Sequence, residues 1–288
     1  MATYDLHQHL WPEAFVTALR ARTAPPFLAQ NELVTSEGRF AIDLTAHQPD
    51  MRIRALDRDE VDVAVLSLQT TLGLELLDAG ERLELEERWV AGIGDIVSAA
   101  RGRFLAFAPT QLRDGFAGIS LGASSLLDLD RVGPVLDDAA KKGCVVFVHP
   151  EVGDPPTGLQ PAWWAWALGY TAQMQASYLG WLGAGRARWP TLRIVFAILA
   201  GGAAFQLERL THRGVDVRSA LDPNTYFDVA TFGRRAIELV VETFGVHQLV
   251  YGSDTPVVDP RPTLDAVRGF GDAVMDILQS DTPSRLLR

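Results

Sequence analysis

The sequence predicts an α/β protein closed into a (β/α)₈ barrel, a single domain over residues 1–288. Two observations carry that expectation. Short apolar, β-branched runs alternate from end to end with longer segments of helical periodicity, and eight such runs are found. The runs are apolar at nearly every position, as strands covered on both faces are, and strands separated by helices run parallel through right-handed crossovers. An open, doubly wound sheet is the competing architecture. Its Gly-rich turn after the first strand is absent, because that turn reads His7-Gln8-His9-Leu10-Trp11-Pro12.

In chain order the expected strands are Thr3–Leu6, Val61–Leu66, Phe104–Ala108, Ala117–Leu121, Val145–Val148, Arg193–Ala197, Tyr226–Val229 and Leu249–Tyr251. Helical periodicity covers Met51–Leu56, Glu81–Ala100, Asp130–Lys142, Ala162–Leu182, Phe205–Thr211 and Arg234–Phe244. The order contains no hairpin signal, and Leu10-Trp11-Pro12 reads as a break in regular structure. Two Pro-bearing stretches, Pro25–Pro49 and Pro155–Pro161, read as insertions, and in a barrel both belong over the active end.

Composition narrows the function. A chain of 288 residues with 48% apolar content buries a full core, and barrels of this class use about 250 residues as one unit. Thirty-six acidic against 26 basic residues give a net charge of −10, and Lys141 and Lys142 are the only lysines, so nucleic acid is not an expected partner. The single cysteine, Cys144, has no internal disulfide partner, which suits a reducing, cytoplasmic setting. No apolar window is long enough for a membrane span and no leader pattern opens the chain.

In a parallel barrel the groups at strand C-termini converge on one mouth whatever their separation in sequence. His7 and His9 close the first strand, His149 closes the fifth, and Asp254 follows the eighth. Residues two apart in a strand share a face and lie roughly 7 Å apart, so both imidazoles of the pair can turn to one ion. A His-x-His pair by itself is a common coincidence; its position at a strand end, matched by His149 and Asp254, makes it a ligand set. Three imidazoles and a carboxylate suit one divalent metal, Zn²⁺ first, and admit Mn²⁺, Co²⁺ or Fe²⁺.

Four stretches carry a resemblance to a known family: Tyr4-Asp5-Leu6-His7-Gln8-His9, Val61-Asp62-Val63-Ala64-Val65-Leu66-Ser67-Leu68, Phe147-Val148-His149-Pro150 and Tyr251-Gly252-Ser253-Asp254-Thr255-Pro256. In combination, and over nearly the whole chain, they resemble the amidohydrolase-2 branch of the amidohydrolase superfamily, the branch of aminocarboxymuconate semialdehyde decarboxylase and related decarboxylases. The resemblance implies a TIM barrel with one metal held by His7, His9, His149 and Asp254, with hydrolysis or non-oxidative decarboxylation of a small carboxylated or ring-containing substrate as the reaction. Members of the family often pair as homodimers. The chain departs from the pattern after the sixth strand, where a histidine is usual before the glycines. Here Ile198, Leu199 and Ala200 precede Gly201 and Gly202.

Beside the ligands, Asp254 is the expected proton acceptor, and Trp11, Arg52 and Trp163 are the expected substrate contacts. Trp11 follows the histidine pair, Arg52 can clamp a carboxylate, and Trp163 lies beyond the fifth strand. Solvated or packing roles compete for Arg52 and Trp163. Asp228 ends the seventh strand and points either into the mouth or toward a neighbour; His47, His212 and His247 read as surface residues, with His47 in reach of the mouth through the first insertion. The missing histidine keeps two other readings open: a degenerate barrel that binds a ligand or partner without turnover, and a metal-independent lactonase-like hydrolase.

Overall fold

The computed structural model describes residues 1–288. All eight expected strands form: β1 Tyr4–Gln8, β2 Val63–Leu66, β3 Phe104–Pro109, β4 Gly118–Gly122, β5 Val145–His149, β6 Ile194–Phe196, β7 Thr225–Asp228 and β8 Leu249–Val250. They pair in sequence order and in parallel from β1 to β8. The barrel closes where β8 returns to β1. Leu6 N–H donates to Tyr251 O at 2.9 Å, Asp254 N–H to His7 O at 2.8 Å and His9 N–H to Thr255 O at 2.8 Å. Closure leaves no exposed edge, the usual liability of an open sheet.

Helices cover the outside. Among them are α1 Glu13–Ala21, α2 Pro49–Arg58, α3 Ala79–Ala99, α4 Leu129–Lys142, α5 Tyr170–Gly180, α6 Ala204–His212, α7 Arg234–Phe244 and α8 Arg261–Arg268. The buried positions of α3, Leu85, Trp89 and Ile93, repeat every four residues, and Asp78 caps its first turn by accepting from Gly80 and Glu81 N–H. The same logic buries Ile237, Val240 and Phe244 of α7. One core of 62 buried side chains runs from Leu6 to Leu286. No helix is long and apolar enough to cross a membrane.

Two features depart from the sequence reading. Helix α1 follows directly on Pro12, because a proline ahead of a helix starts it rather than breaks it. The first insertion does contain hairpins: Phe27–Ala29, Glu32–Thr35 and Gly38–Ala41 form an antiparallel three-stranded flap. Strands of three or four residues carry too little alternation to register as such. As the sequence reading has it, no helix lies in the β3 to β4 connection, residues 110–117, although the two strands are parallel.

Beyond β6 the chain makes a turn that only a constrained site maintains. Ile198, Leu199 and Ala200 all adopt left-handed backbone, at φ of 47°, 50° and 51°, followed by Gly201 at 63°. Such torsions cost energy in non-glycine residues, above all in β-branched ones, and persist where the surroundings over-determine them. Here Gln175 Nε2 of α5 donates to Gly201 O at 2.7 Å, and a Cβ at Gly201 would run into the Thr171 carbonyl. Gly201→Ala is therefore expected to lower stability by about 2–3 kcal/mol. Urea unfolding with an unchanged midpoint would remove that account of the turn.

Candidate metal centre

The side chains of His7, His9, His149 and Asp254 meet at the C-terminal mouth of the barrel, each offering a donor atom, with all four atoms within 4.8 Å of one another. The strand that delivers the pair is not regular. Its register against β2 shifts between Asp5 and Gln8, and Asp5 Oδ1 accepts from His7 N–H at 3.1 Å inside the irregularity. A bulge re-aims side chains at a barrel rim. On β5 the alternation is plain: Phe147 and His149 share the inner face, and the Phe147 ring lies 5.0 Å from that of His7. Phe107 stacks on Phe147 at 5.6 Å, so the site has an apolar aromatic floor.

Asp254 is positioned by the closing seam. Its N–H is held by His7 O, and Ser253 N–H donates to Asp5 Oδ1 at 3.0 Å, stitching the turn to β1. Its backbone is left-handed, φ 60°, a torsion aspartate tolerates better than most residues. Its side chain is 14% exposed while those of His7 and His9 are at most 1%, so the carboxylate is the donor group turned toward the opening.

The three rings stand edge to face, with centroids 5.0, 4.9 and 5.1 Å apart and planes 86–88° from one another. Each Nδ1 is taken by an outer acceptor. His7 Nδ1–H donates to Asp228 Oδ2 at 2.8 Å, His9 Nδ1–H to Ser67 O at 2.9 Å, and His149 Nδ1–H to Pro150 O and Thr70 Oγ1, both at 2.8 Å. That pattern fixes one tautomer and leaves the Nε2 lone pairs facing inward, the arrangement metal-ligating histidines need. His7 Nε2 lies 3.2 Å from His9 Nε2, and Asp254 Oδ1 lies 3.5 and 3.2 Å from the two. Donors about 2.1 Å from a tetrahedral ion sit roughly 3.4 Å apart, so the spacing fits a divalent cation.

Electrostatics point the same way. Burial pushes the His7 imidazolium down, yet the carboxylates of Asp228 and Asp254 outweigh it and hold His7 at about 9. Burial and the charge of His7 push His149 well below the usual range, and burial lowers His9. For Asp254 burial acts upward, but His7 and His9 prevail and keep its carboxyl low. Lone pairs and carboxylates packed this tightly demand positive charge among them.

Asp228 reaches further than a single contact. Its Oδ1 also accepts from Ile198 N–H at 3.0 Å and Ala230 N–H at 2.9 Å, so one buried carboxylate orients His7 and anchors the left-handed turn beyond β6. Ile198, Leu199 and Ala200 are buried in that turn and no imidazole stands there. Over the mouth, Glu37 of the flap accepts from Tyr170 Oη–H at 2.7 Å and from Gly153 N–H, joining the flap to α5 and the β5 loop. Both insertions thus converge on the active end. Nothing in the sequence marked Thr70, Glu37 or Tyr170, and Ser67 entered only as part of the stretch Val61–Leu68.

The expected substrate contacts are placed differently. Arg52 is buried, and its guanidinium donates to Gln8 Oε1 at 2.8 Å, Thr255 O at 3.2 Å and Ala46 O at 2.8 Å. It is a strut between α2, β1 and the seam rather than a free carboxylate clamp. Trp163 is 49% exposed and stands against Trp164, not against the cluster. Trp11 is buried, two residues past His9, and stacks on His47 with ring centroids 4.5 Å apart; His47 is itself buried, not a surface residue.

The structure is thus a parallel eight-stranded barrel with three histidines and an aspartate gathered at its C-terminal mouth. No family model matches the chain. It is 24% identical to a 2-amino-3-carboxymuconate-6-semialdehyde decarboxylase of Dictyostelium discoideum, over 84% of this chain and 77% of the relative. Its fold matches the IDCase of Metarhizium anisopliae at a TM-score of 0.83 and 20% identity, covering 100% of this chain and 97% of that one. It also matches a dihydroxybenzoic acid decarboxylase from Polaromonas, solved with bound manganese and the inhibitor 2-nitroresorcinol, at a TM-score of 0.75 and 15% identity over 99% and 96% of the two chains. The resemblance to the amidohydrolase-2 branch drawn from the four motifs is borne out by these relatives.

Two predictions follow from the imidazole geometry. In Asp228→Asn the amide oxygen stays with the Ile198 and Ala230 N–H donors and the NH₂ turns toward His7 Nδ1, so the ring is pushed into the other tautomer; affinity for Zn²⁺ or Mn²⁺ in a chelator competition is expected to fall 10–100-fold with the fold intact. For metal-free protein, the folded pKa of His7 lies above its ordinary 6.5, so its contribution to stability is full below pH 6.5 and is lost as pH rises through about 9. Urea unfolding across that window is expected to show stability falling as pH rises; a flat profile would contradict the raised pKa of His7.

Proposed function

We propose that this chain is a metal-dependent carboxy-lyase that removes a carboxylate, without oxidation, from a small ring-containing substrate. The observation that carries the reading is the inward-facing Nε2 set with Asp254 at the open side of it. The decarboxylase relatives supply the reaction class. We assign His7, His9, His149 and Asp254 as the ligands of one divalent ion, with Zn²⁺ favoured by the His₃Asp donor set; manganese is bound in the Polaromonas structure. Such an ion polarises and anchors a substrate oxygen.

The protein's own groups supply the rest. The aromatic floor of Phe147 and Phe107 and the cover of flap and α5 keep the reacting carbon away from bulk water. As the bond between ring and carboxylate breaks, its electron pair stays on the ring, carbon dioxide leaves, and the ring carbon takes one proton. With Oδ1 turned to the imidazoles, Asp254 leaves Oδ2 to accept a proton from solvent or from a substrate hydroxyl and pass it to the ring carbon. The usual strand-six histidine is replaced by apolar residues, so proton transfer rests on Asp254 alone among the four. The unpaired Cys144 and the continuous core are consistent with a cytoplasmic enzyme working as one domain.

Protein purified without added metal is expected to carry about one divalent ion per chain, and His9→Ala less than a tenth of that. Carbon dioxide release from a panel of hydroxylated benzoates and carboxymuconate-type acids is expected to fall at least 100-fold after chelation and to return with Zn²⁺ or Mn²⁺. Turnover that survives complete metal removal would support the lactonase-like alternative. No turnover across the panel, with one acid raising the melting temperature, would support a binding barrel.

A further inference from the structure

Two opposite charges are buried behind the histidine pair and joined only through a neutral side chain. Arg52 is 2% exposed and Asp5 is 1% exposed. The guanidinium donates to three neutral acceptors, Gln8 Oε1, Thr255 O and Ala46 O. The carboxylate accepts from three neutral donors: Oδ1 from His7 N–H at 3.1 Å and Ser253 N–H at 3.0 Å, Oδ2 from Gln8 Nε2–H at 2.7 Å. The buried Gln8 amide therefore links them, its oxygen accepting from the cation at 2.8 Å while its N–H donates to the anion. That gives the amide one orientation, in which each charge strengthens the hydrogen bond made to the other. Burial pulls the guanidinium down to about 10 and the Asp5 charge works against it, so Arg52 is charged at neutral pH.

A charge this deep is costly unless another compensates it, and neutralising one of the two leaves the other alone. What the two charges bracket gives them a use beyond cohesion. Asp254 lies between Ser253, whose N–H donates to Asp5, and Thr255, whose carbonyl accepts from Arg52 at 3.2 Å. The same Thr255 carbonyl takes the His9 N–H at 2.8 Å, and the same Asp5 oxygen takes the His7 N–H. Backbone that carries three of the four donor groups is thus tied to one charge or the other. The ties fall across the β1 bulge, where the register to β2 shifts and the ladder by itself does not set the direction of His7 and His9.

We propose that Arg52 is a positioning residue of the metal centre: by compensating Asp5 through Gln8 and holding the Thr255 carbonyl, it fixes the spacing of the His7, His9 and Asp254 donors and with it the affinity for the ion. This rests on the assignment of those side chains as ligands. The charge matters as well as the shape, because a neutral group at position 52 leaves Asp5 uncompensated and frees the bulge to shift.

Two variants test this: Arg52→Lys, which keeps a cation, and Arg52→Gln, which keeps an N–H donor without charge, each checked for native secondary structure by circular dichroism. Zn²⁺ affinity in a chelator competition is expected to fall at least tenfold in Arg52→Gln and to stay within threefold of wild type in Arg52→Lys. The visible absorption of the Co²⁺-loaded protein, which reports ligand geometry, is expected to shift in the first and not in the second. Folded variants with wild-type affinity and spectrum overturn the proposal, and so does an equal loss in both, which is what a packing strut alone produces. Should Arg52→Gln not fold by itself, the double variant with Asp5→Asn, which buries no charge and keeps the hydrogen bonds, decides: affinity within threefold of wild type supports the compensation, and a larger loss overturns it. Amide hydrogen exchange at His9 and Asp254, read on metal-free protein, is expected to speed up at least tenfold in Arg52→Gln and not in Arg52→Lys. A wild type that takes up no ion overturns the ligand assignment, and the exchange rates then decide the role of Arg52 separately: equal rates in all three proteins overturn it.

Discussion

The seam between the first and last strands is the constraint on which the site depends. Three backbone hydrogen bonds from residues 251–255 to β1 close the barrel and set Asp254 beside His7 and His9. Without that closure the carboxylate and the histidine pair belong to opposite ends of the chain. The bulge at Asp5–Gln8 and the Asp5 carboxylate, which accepts from both His7 and Ser253 N–H, are part of the same joint. Ligand geometry and fold closure are therefore one structural element, and strain at one is transmitted to the other.

A ring of outer acceptors then converts proximity into chemistry. Asp228, the Ser67 carbonyl and the Pro150 carbonyl with Thr70 each hold an Nδ1–H, so the inner nitrogens keep their lone pairs. Asp228 links this ring to the left-handed turn of Ile198–Gly201 through the Ile198 N–H. The turn is retained, with its strained torsions, although the residues in it have no proton to exchange. The backbone architecture beyond β6 is thus kept without an ionisable side chain in it.

The cover of the site comes from segments with little regular signal. The three-stranded flap, the Glu37 contact to Tyr170 and Gly153, and the Trp11–His47 stack all involve residues from the first insertion. Strands this short carry no usable period, and a histidine in such a stretch reads as a surface group. Arg52 shows the converse error. A charged residue on an amphipathic helix reads as solvated or as a ligand clamp, and only the packing reveals three acceptors around its guanidinium.

The amino-acid sequence by itself determined the eight strands, six of the helices, the barrel that they form and the four residues at its mouth, because period and strand-end position are local properties that survive without coordinates. It left out α1, where proline was taken as a stop, and the flap, where the pattern was too short. Tertiary structure alone decided which nitrogen of each imidazole faces inward, that Asp228 orients His7, and that Arg52 is a strut. Those facts depend on partners up to 221 residues away, as Asp228 is from His7, and no local pattern encodes a contact of that kind.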